Sequence, residues 1–236
     1  MSKTLVPKVN VDVSTDIYAK NLRDHWYPNE NIVRLTRKFF GFGSGLALDY
    51  GCGSSENMQH LMRLGYDVYG TEITKEAIEE CEFRIKNHSI YNKPFSNNWK
   101  LFLLDSDSLT LPFEDNTFDH ILCNQVIYFL GTLESIEFLL KEFQSVLKPN
   151  GKLIITTMSL HNLQPIREGV RVEKNIWNWR KMNLYIFDDE QHVRKTFAKY
   201  FNISEIGYFD NNYLKSTGHH WIILADNSLD DKLKEN

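Results

Sequence analysis

The stretch that decides the fold is residues 46–56, LALDYGCGSSE. Residues 46–50 form a short apolar run, which is typical of a buried strand, and Gly51 and Gly53 follow it directly. Residues 56–64 then have helical spacing. A strand that turns into a helix through glycines brings the backbone close to a ligand at the carboxyl edge of a sheet. The stretch therefore predicts an α/β sheet with a ligand-binding loop.

The rest of the chain repeats this alternation of strand and helix, which favours a parallel sheet with helices on both faces. The predicted strands are residues 46–50, 67–71, 99–104, 118–123, 152–157, 201–209 and 219–225. The predicted helices are two within residues 15–40, interrupted at Tyr27-Pro28-Asn29, then 56–64, one opening at Thr74, 133–147 and 188–200. Residues 159–185 break the rhythm and are interpreted as an insertion.

Composition limits the class of protein. The chain has 236 residues, of which 42% are hydrophobic, enough for one α/β core with a small cap. Its formal net charge of −4 leaves no basic excess for nucleic acid. Three widely spaced cysteines favour a reducing compartment, and the sequence has no signal-like segment or long uncharged apolar run. We expect a cytoplasmic protein, not bound to nucleic acid or membrane.

The charges around the glycine loop distinguish between two nucleotide-type ligands. A dinucleotide site requires a third glycine where Glu56 stands, and carboxylates at Asp49 and Glu56 would repel a diphosphate by a few kcal/mol. S-adenosylmethionine (SAM) has no phosphate and carries a sulfonium and an ammonium, which an acidic loop attracts. Glu72, at the end of the second predicted strand, is placed to bind ribose hydroxyls. The residues favour SAM over NAD.

Four motifs, in order and spacing, resemble those of the class I SAM-dependent methyltransferases, in particular the type 11 small-molecule group. They are residues 49–53 (DYGCG), 69–73 (YGTEI), 107–119 (DSLTLPFEDNTFD) and 147–153 (LKPNGKL). The one departure is Ser55, which stands where the family's first motif has its third glycine. The resemblance implies a Rossmann-like, doubly wound, mostly parallel seven-stranded sheet with an antiparallel last strand and a helical, aromatic cap.

The resemblance also implies roles for individual residues. It assigns the loop to the methionine moiety, the second strand end to ribose, the third motif to adenine, and the residues after the fourth strand to the methyl side. The implied cofactor-binding residues are Asp49, Gly51, Cys52, Gly53, Glu72, Ile73, Asp107, Ser108, Asn124 and Gln125. SAM is the expected cofactor and S-adenosylhomocysteine the product. No metal is expected, because the pair His219-His220 has no partner at ligand spacing.

The segments that cap the sheet edge supply the acceptor-side candidates. His161 follows the fifth strand and is the first candidate for a catalytic base, with His25 and Tyr128 behind it. A hydroxyl acceptor needs such a base, whereas a neutral amine does not. The candidates for acceptor binding, any of which could instead be a packing residue, are Tyr18, Trp26, Tyr27, Asn162, Arg167, Trp177, Trp179 and Tyr185.

We therefore predict five segments and a methyl transfer. The segments are an N-terminal helical lid (1–45), a SAM-binding core (46–158), an insertion over the acceptor site (159–187), the last helix and closing strands (188–226) and a frayed tail (227–236). The expected acceptor is a polar small molecule such as a sugar, a nucleotide sugar or a phosphorylated metabolite, and the expected state is monomer or homodimer. Three alternatives remain open: non-methylating chemistry on the same fold, a non-catalytic binding partner, and an RNA or protein methyltransferase.

Overall fold

The computed structural model describes residues 6–20, 27–87, 95–213 and 216–228. The helices are α1 (Lys8–Ala19), α2 (Glu30–Phe39), α3 (Glu56–Leu64), α4 (Lys75–Asn87), α5 (Leu133–Val146), α6 (Leu163–Glu168) and α7 (Glu190–Phe197). The strands are β1 (Leu46–Tyr50), β2 (Asp67–Glu72), β3 (Trp99–Leu103), β4 (Phe118–Asn124), β5 (Leu147–Met158), β6 (Val170–Glu173), β7 (Ile176–Trp179), β8 (Met182–Tyr185), β9 (Asn202–Tyr213) and β10 (Ser216–Asp226). A 3₁₀ turn spans Ile127–Leu130.

A seven-stranded sheet, in the order β3-β2-β1-β4-β5-β10-β9, forms the centre of the molecule. Strands β1 to β5 pair in parallel, and β10 runs antiparallel to both β5 and β9. The predicted fold class is therefore confirmed, including the antiparallel last strand. The carboxyl ends of β1, β2 and β4 meet at one edge because these strands are parallel neighbours.

The core lies on both faces of this sheet, because the central strands are buried on each side. In β1, Leu48 and Tyr50 belong to one apolar cluster, and Ala47 belongs to the other. Helix α5 packs Phe143 against Tyr50 on the first face, with the ring centroids 5.1 Å apart. This two-sided burial gives β1 the near-continuous apolar sequence from which it was predicted.

The segment 159–187, interpreted above as an insertion, forms a small sheet separate from the central one. It contains α6 and a three-stranded antiparallel sheet in the order β6-β7-β8. The turn between β7 and β8 places Arg180 and Lys181 in the left-handed region, at φ 49° and 67°. Methionine, leucine and tryptophan side chains of β7 and β8 form a small apolar cluster with Tyr128 and Met158. The hairpin turn carries no glycine or asparagine, so its strands were not predicted.

The largest differences from the predicted boundaries are at α1 and β5. Helix α1 begins at Lys8, directly after Pro7, whereas the sequence periodicity predicts a helix only from about Thr15. Strand β5 begins at Leu147, because this residue pairs with Phe118 before the turn at Asn150. In the described ranges, no helix is long and apolar enough to cross a membrane.

Candidate functional site

A cavity of about 440 Å³ opens at the carboxyl ends of β1, β2 and β4. This volume is within the usual range for small-molecule sites. Three groups of residues line it. The sheet edge contributes Tyr50, Gly51, Cys52, Glu56, Asn57, Thr71, Glu72, Ile73 and Leu104; the segment after β4 contributes Asn124, Gln125, Val126, Phe129 and Leu130; the cap contributes Val6, Asn10, Ser14, Ile17, Tyr18, Tyr27, Pro28, Asn29 and Met182.

The glycine loop has the backbone that its sequence predicts. Gly51 and Gly53 adopt φ 71° and 53°, and Ser55 adopts φ 85°, so the serine takes the left-handed conformation that glycine would supply. The Ser55 hydroxyl accepts a hydrogen bond from Gln59 Nε2 at 2.9 Å. A Cβ added to Gly51 would lie 2.4 Å from Cγ2 of Val126. The absence of a side chain at Gly51 therefore allows the segment after β4 to approach the loop.

Asp49 is fully buried in β1, two residues before Gly51. Among the described groups, neither of its carboxylate oxygens has a hydrogen-bond partner of good geometry, and the Met58 backbone is a weaker contact. Burial raises the pKa of Asp49 well above its usual value, the charges of Glu56 and Glu72 raise it further, and the Met58 backbone offsets part of this. A buried carboxylate without a partner is costly, so this position favours a bound cation nearby.

Two glutamates line the cavity. Glu72, the last residue of β2, accepts a hydrogen bond from the Ile73 backbone N–H at 2.7 Å, and both residues line the cavity. Glu56 begins α3 and lies 3.5 Å from Arg84 Nη1, which is itself buried. Arg84 therefore partly compensates Glu56, whereas Glu72 stands at the position predicted for ribose.

The predicted adenine-side residues do not line the cavity. Asp107 is exposed, and its backbone N–H donates to Asp105 Oδ1 at 2.9 Å within a turn that also contains Ser108. Leu104, directly after β3, is the cavity residue closest to them in sequence. Of the other predicted cofactor residues, Gly51, Cys52, Asn124 and Gln125 line the cavity, while Asp49 and Gly53 lie in the chain beside it.

Helix α1 covers the cavity and is fixed there by Asn10. The Asn10 amide donates to the carbonyls of Phe129 and Asn183 at 2.6 and 2.7 Å, and it accepts from the Asn183 N–H at 2.8 Å. Tyr18 and Tyr27, two predicted acceptor residues, line the cavity. His25 and Trp26 lie outside the described residues.

The remaining acceptor candidates lie away from the cavity wall, in the insertion. Asn162 is buried beside α6, and Arg167 is exposed on that helix. Trp177 and Trp179 pack in the small cluster of β7 and β8, and Trp179 Nε1 donates to Glu168 at 3.1 Å. Tyr185 forms a hydrogen bond of 3.2 Å with His192 Nε2, and burial raises the pKa of its hydroxyl to about 12.

The described base candidates also lie outside the cavity wall. His161 is exposed, and its ring is 5.1 Å from that of His219, which forms a hydrogen bond of 2.6 Å with Ser159 Oγ. Tyr128 is buried, with its ring 5.9 Å from His220. No cluster of three or more potential metal ligands occurs in the described part of the chain.

Sequence reasoning did not identify several cavity residues, notably Asn10, Asn57 and Met182. Asn57 could have been found, because it follows Glu56 on the first turn of α3, at the end that faces the ligand edge. Asn10 and Met182 come from elements that lie far apart in sequence, and only the packing of α1 on β8 brings them to the cavity.

Comparisons with known proteins agree with this geometry. Residues 48–155 match the family model described as methyltransferase domain. The sterol 4-C-methyltransferase strm-1 of Caenorhabditis elegans is 34% identical over 46% of this chain and 29% of its own length. The demethylmenaquinone methyltransferase of Tropheryma whipplei is 29% identical over 61% of this chain and 53% of its own length. The chain thus spans about a third to a half of these two relatives.

Solved structures share this fold. A SAM-dependent methyltransferase of Methanosarcina mazei superposes with a TM-score of 0.70, at 18% identity over 86% of this chain and all of its own. The Burkholderia thailandensis 1,6-didemethyltoxoflavin-N1-methyltransferase, solved with bound 1,6-didemethyltoxoflavin and S-adenosylhomocysteine, gives a TM-score of 0.69 at 14% identity over 94% of this chain and 88% of its own.

The sheet order, the glycine loop and these matches define a class I SAM-dependent methyltransferase fold. Within that fold, residues 48–155, a little under half of the chain, match the methyltransferase-domain family model.

Proposed function

We propose that this protein is a SAM-dependent methyltransferase that methylates a small molecule and releases S-adenosylhomocysteine. The charge of the cavity carries the proposal. Glu56 and Glu72 line it, Asp49 is buried beside it, and the described part of its wall contains no Lys, Arg or His. Such a site attracts a sulfonium and an ammonium and repels the diphosphate of a dinucleotide.

The residues present fit SAM. Asp49, Gly51 and Gly53 would hold the methionine moiety, because the unpartnered carboxylate compensates an ammonium and the glycines allow the backbone to approach. Glu72 would bind the ribose hydroxyls, and Ile73 and Leu104 would pack against the nucleoside. The adenine roles of Asp107 and Ser108 remain a prediction. When bound, SAM supplies a methyl group already activated by its positive sulfur.

The chain's own task is then to align the acceptor and exclude water. The α1 side chains Ile17 and Tyr18, with Tyr27 and Pro28, cover the cavity, while Asn10 fixes the helix to β8. The described wall contains no His, and its two carboxylates are engaged: Glu72 is assigned to the ribose and Glu56 lies beside Arg84. A neutral amine or another nucleophile that needs no strong base therefore fits this wall best. His25 remains the candidate to test for a hydroxyl acceptor.

The cavity also narrows the acceptor class. Its cap combines apolar and aromatic side chains with the uncharged amide Asn29, and the segment after β4 adds the uncharged amide Gln125. Two relatives are named for sterol and menaquinone chemistry, which involves largely apolar molecules. We therefore propose an acceptor with an apolar body and uncharged polar groups, in place of the phosphorylated or nucleotide-linked sugars expected from the sequence.

Calorimetric titration with SAM, and separately with NAD, tests the cofactor. We expect saturable binding of SAM and none of NAD. Glu72→Gln should weaken SAM binding by about 10- to 100-fold, because a charged hydrogen-bond partner contributes about 1.5–3 kcal/mol. Glu114→Gln, which changes an exposed glutamate outside the cavity, is the matched control. Absence of SAM binding to the wild-type protein would disprove the proposal.

Methyl transfer itself is tested by S-adenosylhomocysteine release. Candidate amines, quinols and sterols are incubated with the protein and SAM, and acceptor-dependent product is measured. If the protein binds and consumes SAM but no reaction forms S-adenosylhomocysteine, the result would support non-methylating chemistry on the same fold.

A further inference from the structure

The turn between β7 and β8 holds two positive charges in an unfavourable backbone conformation. Arg180 and Lys181 are exposed and adopt φ 49° and 67°. A two-residue hairpin turn with both φ values positive usually has the sequence Asn-Gly, because residues with larger side chains are strained there. Arg180 also lies over the Trp179 ring, 4.3 Å from its centroid. Strained residues cluster at functional sites, so this turn indicates a use for its two charges.

An edge strand beside this turn exposes two aliphatic side chains. Strand β6 is at the edge of the small sheet and pairs with β7. Val170 is opposite Asn178, and so lies near the end of β7; it is 69% exposed, and Val172 is 57% exposed. Exposed apolar residues scattered singly are normal, whereas adjacent ones mark contact surfaces. The two valines therefore indicate a surface that another molecule covers.

The end of α6 completes this surface. Glu168 accepts a hydrogen bond from Trp179 Nε1 at 3.1 Å, so the last turn of α6 lies beside the end of β7. The exposed Arg167 precedes Glu168 in that turn. The surface thus combines three cations with two aliphatic side chains. We call it the tip surface, and its residues are Arg167, Val170, Val172, Arg180 and Lys181.

The three cations of the tip surface form no ion pair with any carboxylate in residues 6–20, 27–87, 95–213 and 216–228. Exposed cations on α2, α4 and α7, by contrast, pair with glutamates one helical turn away. Because the chain as a whole has a net charge of −4, the positive charge here is local. The tip surface is therefore suited to an anionic partner.

We propose that the tip surface docks the protein on a membrane that contains anionic phospholipids. Lys and Arg side chains are attracted to the negative surface of such a membrane, and exposed aliphatic side chains are stabilised when they enter its interface. An edge strand flanked by cations supplies both contributions at one place. Because the rest of the chain has a net negative charge, the attraction depends on this surface and should decrease as salt is added.

The aromatic residues of the hairpin distinguish a lipid partner from a nucleic acid. Single-stranded nucleic acids bind in basic grooves where their bases stack on open aromatic rings. Trp177 and Trp179 pack against the small apolar cluster of the insertion. Arg171 and Arg180 lie over their rings, 5.9 and 4.3 Å from the centroids. The rings are thus covered, and the exposed apolar groups of the tip surface are aliphatic, which favours lipid.

The tip surface lies next to the cavity. Lys181 directly precedes Met182, which lines the cavity wall, and Asn183 holds α1 through Asn10. A membrane bound to the tip surface would therefore lie close to the cap. The proposal goes beyond methyl transfer and does not depend on it. The expectation of no membrane contact rested on the absence of a long uncharged apolar run, which a peripheral surface does not need.

Co-sedimentation tests the proposal with vesicles of phosphatidylcholine alone and of equal parts phosphatidylcholine and phosphatidylglycerol. Arg180→Asn/Lys181→Gly removes both charges and gives the turn its usual sequence, so we expect this variant to melt at a higher temperature than the wild type. A loss of lipid binding in it would therefore not come from unfolding. Val170→Thr/Val172→Thr keeps β-branched side chains in the strand and removes apolar surface.

The matched control is Arg194→Gln/Lys195→Gln. It also removes two exposed cations, but from α7, a described helix without an exposed large apolar side chain. We expect the wild type to bind the mixed vesicles, more weakly as salt is raised, and not phosphatidylcholine alone. The control should bind the mixed vesicles as the wild type does.

Arg180→Asn/Lys181→Gly should weaken binding to the mixed vesicles about 30-fold, because each Lys or Arg near an anionic surface contributes about a factor of five. Val170→Thr/Val172→Thr should weaken it about three- to tenfold. Wild-type protein that does not bind the mixed vesicles, or that loses as much affinity in the α7 control, would overturn the proposal. It would also be overturned if the turn variant bound these vesicles normally and lost binding to a single-stranded RNA.

Discussion

At the residue scale, the buried carboxylate of Asp49 destabilises the ligand-free protein and favours binding of a positively charged ligand. Its pKa is raised by burial first and by Glu56 and Glu72 second, so the folded state disfavours its charged form. The folded protein therefore loses stability as the pH rises through the usual carboxyl range and beyond. We expect Asp49→Asn to raise the melting temperature of the ligand-free protein at pH 7, by about 2–4 °C for each kcal/mol recovered.

The same substitution should remove the response to SAM. Wild-type protein should melt at a higher temperature in excess SAM, because the ligand binds the folded state. Asp49→Asn should show little or no such increase, since the amide no longer compensates the ligand's positive charge. A variant that is less stable without ligand, or that responds to SAM as the wild type does, would contradict the role given to Asp49.

At the element scale, the turn from β1 to α3 depends on the space at Gly51. Gly51→Ala combines a left-handed backbone, φ 71°, with a Cβ placed 2.4 Å from Val126. Gly41→Ala is the matched control, because Gly41 has φ 87° and no atom within 4 Å of an added Cβ. We expect Gly41→Ala to cost about 1–2 kcal/mol of unfolding free energy without affecting SAM binding.

Gly51→Ala should lower the unfolding free energy by more than Gly41→Ala does, because either the loop or the segment after β4 must move. For the same reason it should weaken SAM binding at least tenfold. Adding Val126→Ala should recover part of the stability by removing the overlap. Denaturant unfolding and calorimetry measure both effects. If Gly41→Ala and Gly51→Ala lower the unfolding free energy equally, or if the double variant recovers no stability, the approach of Val126 does not constrain this turn.

The elements also show what could be predicted from sequence. Strands β1, β2 and β4 were predicted closely because burial on two faces produces apolar runs, and the motif positions of Gly51 and Glu72 follow from those strands. The hairpin of β7 and β8 was not predicted, because its turn uses Arg180 and Lys181 at positive φ, where glycine or asparagine is usual. Long-range packing, not local pattern, brings Met182 to the cavity.

At the scale of the whole molecule, three buried or half-buried histidines with strongly lowered pKa values link stability to pH. Burial lowers the pKa of His60, His120 and His220 to about 4. For His120, Lys152 and Lys148 lower the pKa further and Asp119 opposes them. The unfolded chain binds protons near pH 6.5, and the folded protein resists them until about pH 4. The stability that each neutral histidine contributes is therefore fully present above pH 6.5 and is lost as the pH falls towards 4.

His120→Phe tests this coupling with the ring retained. The His120 ring stacks on Phe40 at 4.5 Å and meets Tyr66 edge-on at 5.0 Å, and its Nδ1 has no described partner, so phenylalanine keeps the packing.

Between pH 6.5 and 4, each titrating histidine contributes a slope of up to about 1.4 kcal/mol per pH unit. We expect the variant to lose about a third of the slope of unfolding free energy against pH that His60, His120 and His220 contribute together, measured by urea unfolding at several pH values. Phe40→Leu, which alters the stacking partner without removing a titrating group, should shift the curve and keep its slope. Asp49 changes stability with pH in the opposite direction, but it is present in all three proteins and does not affect the comparison. An unchanged slope in His120→Phe would mean that His120 is protonated in the folded state above pH 4.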